Sequence, residues 1–145
     1  MTTYIVDASV YAPLIITYGS PLIEKLRNVK FIVLDLTIYE VCNAFWKECL
    51  KLRRMSEDEA LIACKVAKSL LRYVTLYKVT DLDVEEVIRI AIENNITFYD
   101  SSYIALACKL KSPIASEDRD IIDVAPRYGI EVIRLNQLLD ILKQV

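Results

Sequence analysis

The stretch Thr3-Tyr4-Ile5-Val6-Asp7-Ala8-Ser9 carries the pattern that decides the fold, because a short apolar run ends there directly in an acid. Such a run is typical of a strand that is covered on both faces. Similar runs follow at residues 31–34, 74–77, 113–115 and 131–133. We therefore predict a mostly parallel sheet of about five strands.

Helical patterns occupy the intervals between these runs. Ser20 and Pro21 suit the N-cap and the first position of a helix. A long helix is predicted over 37–53, and Ser56 with Glu59 forms a capping box that opens a third helix, which runs to about residue 72. Further helices are expected over 81–93, 100–111, 119–124 and 136–143. Alternating strands and helices require crossover connections, so we expect an α/β/α sandwich, formed by a single domain over residues 1–145.

The composition narrows the chemistry that is open to the protein. None of the 145 residues is a histidine, which excludes Ser-His-Asp triads, Cys-His dyads and the common zinc sites. The net charge of -2 provides no overall cationic field that would draw the protein onto nucleic acid or anionic lipid. Any reaction must therefore use carboxylates, amides, hydroxyls or thiols, and any nucleic-acid contact needs a local patch.

The cysteines and the N-terminus point to an ordinary intracellular protein. Cys42, Cys49, Cys64 and Cys108 show no CxxC spacing and are expected to be buried, reduced thiols. A cross-link from Cys64 to Cys42 or Cys49 stays open for a hyperthermophilic host. The apolar N-terminus has no basic segment and is interrupted by Asp7, so it does not resemble a signal peptide, and no apolar stretch is long enough for a membrane span. We expect a cytoplasmic location.

Four acids lie where the chain leaves a strand or enters a helix. Asp7 follows the first apolar run, Asp118 follows the run at 113–115, Glu40 lies one turn into the helix after the second run, and Asp100 opens a later helix. In open parallel sheets, ligands bind at the carboxyl ends of the strands. These acids are therefore candidates for a shared site.

Each acid also has a structural explanation. Asp7, Asp100 and Asp118 could be N-caps that accept hydrogen bonds from free amide groups. Glu40 is harder to explain in this way, because it shares a helix face with apolar residues, where a carboxylate loses its hydration. Asn43, one turn further on, could orient Glu40 or a bound water.

Convergence of the acids would call for a cation. Two carboxylates about 4 Å apart repel by roughly 4 kcal/mol at an effective dielectric near 20. Mg²⁺ or Mn²⁺ prefers such oxygen ligands, and a metal-bound water is a nucleophile at neutral pH. This chemistry needs no histidine and suits hydrolysis of a phosphodiester.

Residues of two types could contact a nucleic acid. Cations crowd the second and third helices, among them Lys47, Lys51, Arg54 and Lys68. An ordinary solvated helix face is the favoured explanation, and phosphate binding is the alternative. Tyrosines could stack on unpaired bases, although such residues commonly belong to the core: Tyr11, Tyr39, Tyr99 and Tyr103.

The chain resembles the PIN-domain nucleases, and within them the VapC-type toxin ribonucleases of toxin–antitoxin pairs. The resemblance rests on four motifs in order along the chain. These are Ile5-Val6-Asp7-Ala8-Ser9-Val10, Glu40 with Asn43, Tyr99-Asp100-Ser101-Ser102-Tyr103-Ile104-Ala105-Leu106-Ala107, and Ser116-Glu117-Asp118-Arg119-Asp120-Ile121. The last motif carries Ser116 where the family usually has threonine, which keeps the hydroxyl.

The resemblance implies an α/β/α sandwich that cleaves single-stranded or looped RNA with Mg²⁺ or Mn²⁺ and leaves a 5′-phosphate. It implies that Asp7, Glu40, Asp100 and Asp118 form the acidic catalytic metal site. It further implies supporting roles for Ser9, Asn43 and Ser116. A homodimer and a cognate antitoxin, whose C-terminal segment covers the site, are also implied.

Three alternatives remain at this stage. The protein could be a PIN-like scaffold that binds RNA or protein without cleavage, or a housekeeping RNA-processing nuclease. A phosphoryl-transfer domain of receiver or aspartyl-phosphatase type also places acids at strand ends, but Asp7-Ala8-Ser9 matches neither pattern. Asp120 and Asp123, two further acids, are interpreted as a solvated helix face.

Overall fold

Five strands form one parallel sheet in the computed structural model, which describes residues 1–145. They are β1 (Thr2–Val6), β2 (Val29–Leu34), β3 (Thr75–Tyr77), β4 (Ile114–Ala115) and β5 (Val132–Ile133). Their order across the sheet is β3-β2-β1-β4-β5, and every neighbouring pair is parallel. The predicted sheet is confirmed, and the order changes direction at β1, which lies in the middle.

Eight helices connect and cover the strands. They are α1 (Ala8–Tyr18), α2 (Leu22–Lys25), α3 (Asp35–Leu50), α4 (Glu57–Leu70), α5 (Val84–Asn94), α6 (Phe98–Leu110), α7 (Arg119–Val124) and α8 (Leu135–Lys143). Short 3₁₀ turns lie at Val79–Asp81 and Ala125–Tyr128. A helix that could cross a membrane, which must be both long and apolar, is not found among them.

The alternation of side chains along the strands divides the core into two layers. Phe31 and Val33 of β2 point to one face, where they pack with α1, α3, α4 and α8. Ile32 and Leu34 point to the other face and pack with α5, α6 and α7. Both faces of the sheet are therefore covered, and the predicted α/β/α sandwich is confirmed.

The helix α1 is the main element that the sequence patterns do not reveal. It is apolar around most of its circumference and contains Pro13, which cannot donate a hydrogen bond to the carbonyl of Ser9. A proline inside a helix normally signals its end, and a helix without a polar face has no amphipathic period. Its packing against α3 and α4, in the core cluster on one face of the sheet, explains the apolar composition.

Several helix boundaries also differ from the prediction. The helix expected after Ser20-Pro21 is the single turn α2, with Pro21 at the N-cap position. The helix α6 begins two residues before Asp100, because the Thr97 side chain accepts a hydrogen bond from the Asp100 amide and caps it. The predicted capping box of Ser56 and Glu59 is present and opens α4.

Candidate functional site

The carboxyl ends of β1 and β4 meet at the point where the strand order changes direction. Val6 pairs with Ala115, and the Asp7 amide donates a hydrogen bond to the Ala115 carbonyl at 3.3 Å. Asp7 and the loop that begins at Ser116 therefore emerge side by side. This is the crevice in which doubly wound sheets bind ligands.

Asp7 is buried under two hydroxyl groups. Its side chain is 4% exposed, and it accepts hydrogen bonds from Ser9 Oγ at 2.6 Å and Ser116 Oγ at 2.5 Å. Ser9 Oγ accepts a hydrogen bond from the Glu117 amide and Ser116 Oγ accepts one from the Asp118 amide. Since the backbone amides occupy an acceptor site on each hydroxyl, the hydroxyl protons are directed at Asp7 and hold its carboxylate in one orientation.

Glu40 is held by a chain of hydrogen bonds from the core. Tyr103 donates to Glu40 Oε1 at 2.8 Å, Thr37 Oγ1 lies 2.8 Å from the Tyr103 hydroxyl, and the Leu34 amide donates to Thr37 Oγ1 at 3.0 Å. The partner that orients Glu40 is thus Tyr103. Asn43, for which this role was considered, is exposed and lines the cleft beside Glu40.

Two of the four tyrosines that were candidates for stacking on bases are buried in the core. Tyr103 is 1% exposed and Tyr11 is 3% exposed, so neither can stack on a base. The positioning role of Thr37 and Tyr103 was missed by the sequence patterns. The available signal was weak: Thr37 lies in the first turn of α3, and Tyr103 lies in the second turn of α6, three residues after Asp100.

A second group of carboxylates lies where α6 and α7 begin. Oxygen atoms of Asp100, Asp118 and Asp120 all lie within 4.8 Å of one another. Asp118 caps α7 through Oδ1, which accepts hydrogen bonds from the Asp120 and Ile121 amides at 2.9 and 3.4 Å. The N-cap interpretation is therefore correct for Asp118 but wrong for Asp100, whose helix is capped by Thr97.

The two extra acids of the last motif have different surroundings. Asp123 lies 4.0 Å from Arg119 on an exposed helix face, as the solvated interpretation predicts. Asp120 is also exposed, but it belongs to the carboxylate group of Asp100 and Asp118. The sequence analysis missed this placement, although the spacing of Asp118 and Asp120 at the start of one helix was visible.

The carboxylates raise one another's pKa values. Burial, followed by the charges of Asp118 and Glu40, raises the pKa of Asp7 to about 6 against the opposing effect of the two hydroxyl donors. Burial and then the charges of Asp118 and Asp120 raise the pKa of Asp100 to about 6. Burial and the charge of Asp118 also raise the pKa of Glu40. Asp7, Glu40 and Asp100 therefore share the charge of Asp118 as a neighbour, and the charged forms of these three acids are disfavoured.

The donor set fits a hard divalent cation. It consists of carboxylate oxygens that repel one another, with no histidine or thiol among them, and Mg²⁺ and Mn²⁺ prefer such ligands. Asp100, Asp118 and Asp120 are close enough to share one ion. The charge of Asp118 also acts on Asp7, and the charge of Glu40 acts on Asp100.

The cations of the α3–α4 hairpin have different partners. Lys47 lines a cleft of about 280 Å³ together with Ser9, Glu40 and Asn43. Arg54 instead forms a bidentate ion pair with Glu48. Lys51 lies 5.6 Å from the ring centre of Trp46 and Lys68 is exposed on α4. Among the four predicted cations, Lys47 is the one that lines the cleft beside the acids.

The chain is similar to known proteins over most of its length. The PIN domain family matches residues 4–126. The exonuclease VapC9 of Pyrobaculum aerophilum is 35% identical over 120 residues, which cover 82% of this chain and 83% of that protein. The ribonuclease VapC3 of the same organism is 27% identical over 93 residues, or 64% of this chain and 70% of that protein.

Solved structures give the same result. PAE2754 from Pyrobaculum aerophilum superposes with a TM-score of 0.73 at 28% identity, covering 99% of this chain and 98% of its own. The PilT N-terminus domain protein SSO1118 from Sulfolobus solfataricus shares the fold, with a TM-score of 0.52 at 18% identity over 97% and 93% of the two chains. The resemblance seen in the motifs is confirmed: the chain belongs to the PIN domain family and, within it, to the proteins of VapC type.

Proposed function

We propose that this protein is a metal-dependent endoribonuclease, the toxin of a VapBC-type toxin–antitoxin pair, which hydrolyses RNA phosphodiester bonds. The observation that supports the proposal is a group of three acids at the starts of α6 and α7, whose charge also acts on Asp7 and Glu40. Asp100, Asp118 and Asp120 lie within reach of one ion. Asp7 and Glu40 interact with the same charges.

In this proposal the catalytic acids Asp7, Glu40, Asp100 and Asp118 hold Mg²⁺ or Mn²⁺, and Asp120 is added to them. A bound divalent ion supplies a water of lowered pKa and neutralises charge that develops on the phosphate. Ser9 and Ser116 keep both Asp7 oxygens in place, while Asn43 lies in the adjoining cleft.

The positioning of Glu40 is the second contribution of the chain. The hydroxyl of Tyr103 donates to one oxygen of Glu40, which leaves the other oxygen available for an ion or a water. Because Tyr103 is itself anchored by Thr37, the carboxylate does not need to be ordered when ligand binds. Such supporting partners commonly affect metal affinity or activity by about 10–100-fold.

The activity test uses linear and circular forms of one unstructured RNA, with Mn²⁺ or with EDTA. An endonuclease cuts the circle, whereas an enzyme that requires an RNA end does not. The name of the VapC9 relative, an exonuclease, makes end-dependent cleavage the second candidate. Binding without cleavage of either RNA in Mn²⁺ would instead favour the scaffold interpretation.

The acids are tested by Asp100→Asn, with Asp123→Asn as the matched control on an exposed face. We expect Asp100→Asn to abolish cleavage and Asp123→Asn to retain it. Cleavage that survives Asp100→Asn, or that proceeds fully in EDTA, would refute the proposed mechanism.

The RNA-binding role of the α3–α4 cations is part of the same proposal. Lys47, Lys51, Arg54 and Lys68 are assigned to phosphate contacts, with Lys47 nearest the acids. We expect Lys47→Glu to weaken RNA binding. The slope of the logarithm of RNA affinity against the logarithm of salt concentration should become shallower by about one or two. Lys30→Glu is the control, because Lys30 lies near the amino end of β2, whereas the acids lie at the carboxyl ends of the strands. Equal salt slopes for Lys47→Glu and Lys30→Glu would show that Lys47 does not contact the RNA phosphates.

The VapC relationship supports a proposal for assembly and location. We propose that the protein forms a homodimer in the cytoplasm, that residues 1–145 form one domain, and that a cognate antitoxin protein covers the acidic site. Light scattering reports the mass of the assembly. Purification with the product of a neighbouring short reading frame tests the antitoxin.

A further inference from the structure

A second cleft, of about 300 Å³, lies between the starts of α3 and α6. Its floor is apolar and includes Leu34, Leu36 and Phe98, and its rim carries Tyr39 and Tyr99. The volume is at the small end of the range for ligand pockets. It suits one flat group rather than a helix, whose diameter is about 10–12 Å.

The cleft adjoins the acids through the chain itself. Tyr39 immediately precedes Glu40, and Tyr99 immediately precedes Asp100. Side chains at consecutive helix positions point about 100° apart, so the cleft and the acids occupy adjoining faces at the starts of α3 and α6. A substrate that places a phosphate at the acids therefore brings its neighbouring parts to the tyrosines.

Both tyrosines are unusually exposed for aromatic residues. Tyr39 is 80% exposed and Tyr99 is 60% exposed. Exposed aromatic rings beside an anionic or metal-bound phosphate are the typical platform for unpaired bases, and each stacking contact contributes about tenfold or more in affinity.

Apart from the hydroxyls of Tyr39 and Tyr99, the polar groups that line the cleft are hydrogen-bond acceptors. Asp35 Oδ1 accepts a hydrogen bond from the Leu36 amide at 3.0 Å, and the second carboxylate oxygen remains available to a ligand. Ser102 donates its proton to the Phe98 carbonyl at 2.8 Å, so its oxygen can serve only as an acceptor. Such a lining favours a base edge with an amino group, as in adenine, cytosine or guanine.

We propose that this cleft binds one unpaired, amino-bearing nucleobase of the RNA, next to the phosphate held at the acids. The inference rests on the proposed nuclease function. Tyr39 and Tyr99 stack on the base, and Asp35 accepts a hydrogen bond from its amino group. The cleft thereby selects single-stranded over paired RNA, because a paired base cannot enter it.

The binding test uses a short single-stranded RNA in which one adenine is replaced by 2-aminopurine, whose fluorescence falls when the base stacks. Binding is measured in Ca²⁺, which also prefers oxygen ligands, and cleavage is measured separately in Mn²⁺. We expect Tyr39→Ala and Tyr99→Ala each to weaken binding about tenfold and to reduce the quenching. Tyr39→Phe and Tyr99→Phe should retain both, because stacking needs the ring and not the hydroxyl.

Tyr73→Ala is the matched control. Tyr73 is 48% exposed but precedes β3, at the edge of the sheet opposite the acids, so binding should be unchanged. An RNA with an abasic site at the probe position provides the reciprocal test. It should bind the wild-type protein about tenfold more weakly than the intact RNA, and it should show no further loss with Tyr39→Ala.

The variant Asp35→Asn tests which base the cleft selects. Asp35→Asn should reduce the preference for an amino-bearing base over uracil at the probe position while RNA binding as a whole persists. The same preference in Asp35→Asn and in the wild-type protein would remove the amino-group contact from the proposal.

Three further outcomes would overturn the cleft assignment. The first is equal binding by the wild-type protein and both alanine variants. The second is a loss with phenylalanine that equals the loss with alanine. The third is a change in oligomeric mass on Tyr39→Ala with unchanged RNA binding, which would reassign the cleft to contact between copies of the chain. If the wild-type protein cleaves RNA and the tyrosine variants bind RNA as well as it does, only the cleft assignment is refuted. If the wild-type protein neither binds nor cuts RNA, the nuclease function is refuted as well.

Discussion

Replacement of Asp7 by asparagine should increase the stability of the metal-free protein at neutral pH while abolishing its activity. Asp7 is charged in the unfolded chain above its ordinary pKa of 3.8, and burial raises its pKa in the folded protein to about 6. This difference corresponds to about 3 kcal/mol of destabilisation once both states are charged. Asparagine removes that cost.

The replacement also disturbs the two hydroxyl contacts. Ser9 and Ser116 both donate to Asp7, and an asparagine side chain offers only one acceptor oxygen. One hydroxyl proton is then left without a partner, at a cost of about 1–2 kcal/mol. The net expectation is that Asp7→Asn is about 1 kcal/mol more stable than the wild-type protein at pH 7.5.

The pH dependence has a definite sign. Below pH 3.8 the wild-type Asp7 is protonated in both states, so its burial carries no charge penalty, and the penalty grows as the pH rises through about 6. The advantage of Asp7→Asn should therefore vanish near pH 4. Burial raises the pKa of Asp100 in the same direction, but this contribution is common to both proteins.

The assay is urea denaturation in EDTA at pH 7.5 and pH 4, together with cleavage in Mn²⁺. Asp123→Asn is the control, because this acid is exposed beside Arg119 and should change stability little at either pH. Added Mn²⁺ should stabilise the wild-type protein more than Asp7→Asn. A clear loss of stability for Asp7→Asn in EDTA at pH 7.5 would refute the reasoning and assign the carboxylate a structural role.

Three other substitutions test particular contacts. Tyr11→Phe removes a buried hydroxyl that has no hydrogen-bond partner, so urea denaturation should show a gain of about 1 kcal/mol; a less stable variant would contradict this. Tyr103→Phe removes the donor to Glu40 and should lower cleavage or Mn²⁺ affinity by about tenfold or more, whereas unchanged values would show that Glu40 needs no support. Cys42 of α3 and Cys64 of α4 line one cleft, where burial, followed by the neighbouring Cys64 thiol, raises the pKa of Cys42 to about 11. Because a thiol with a raised pKa stays protonated at neutral pH, oxidation by peroxide should be slow there and should join the two cysteines only at alkaline pH. The disulfide should then stabilise the fold by about 3 kcal/mol, seen as a higher melting temperature that is absent in Cys42→Ser.

Local patterns in the sequence predicted most of the architecture. Short apolar runs marked all five strands, because a strand buried on both faces needs no polar alternation. The capping box at Ser56 fixed the start of α4. The helix α1 escaped prediction because an apolar helix with an internal proline has neither a polar face nor an ordinary boundary signal.

The candidate acids could also be named from the sequence, since strand ends and helix starts are local features and the four motifs occur in order. What only the tertiary structure decided is how these residues meet. Tyr103 reaches Glu40 from another helix, Ser116 reaches Asp7 across two neighbouring strands, and Asp120 joins an ion-sized group of oxygens. Such contacts depend on the strand order and on helix packing, which bring together residues far apart in the chain, and no local propensity carries that information.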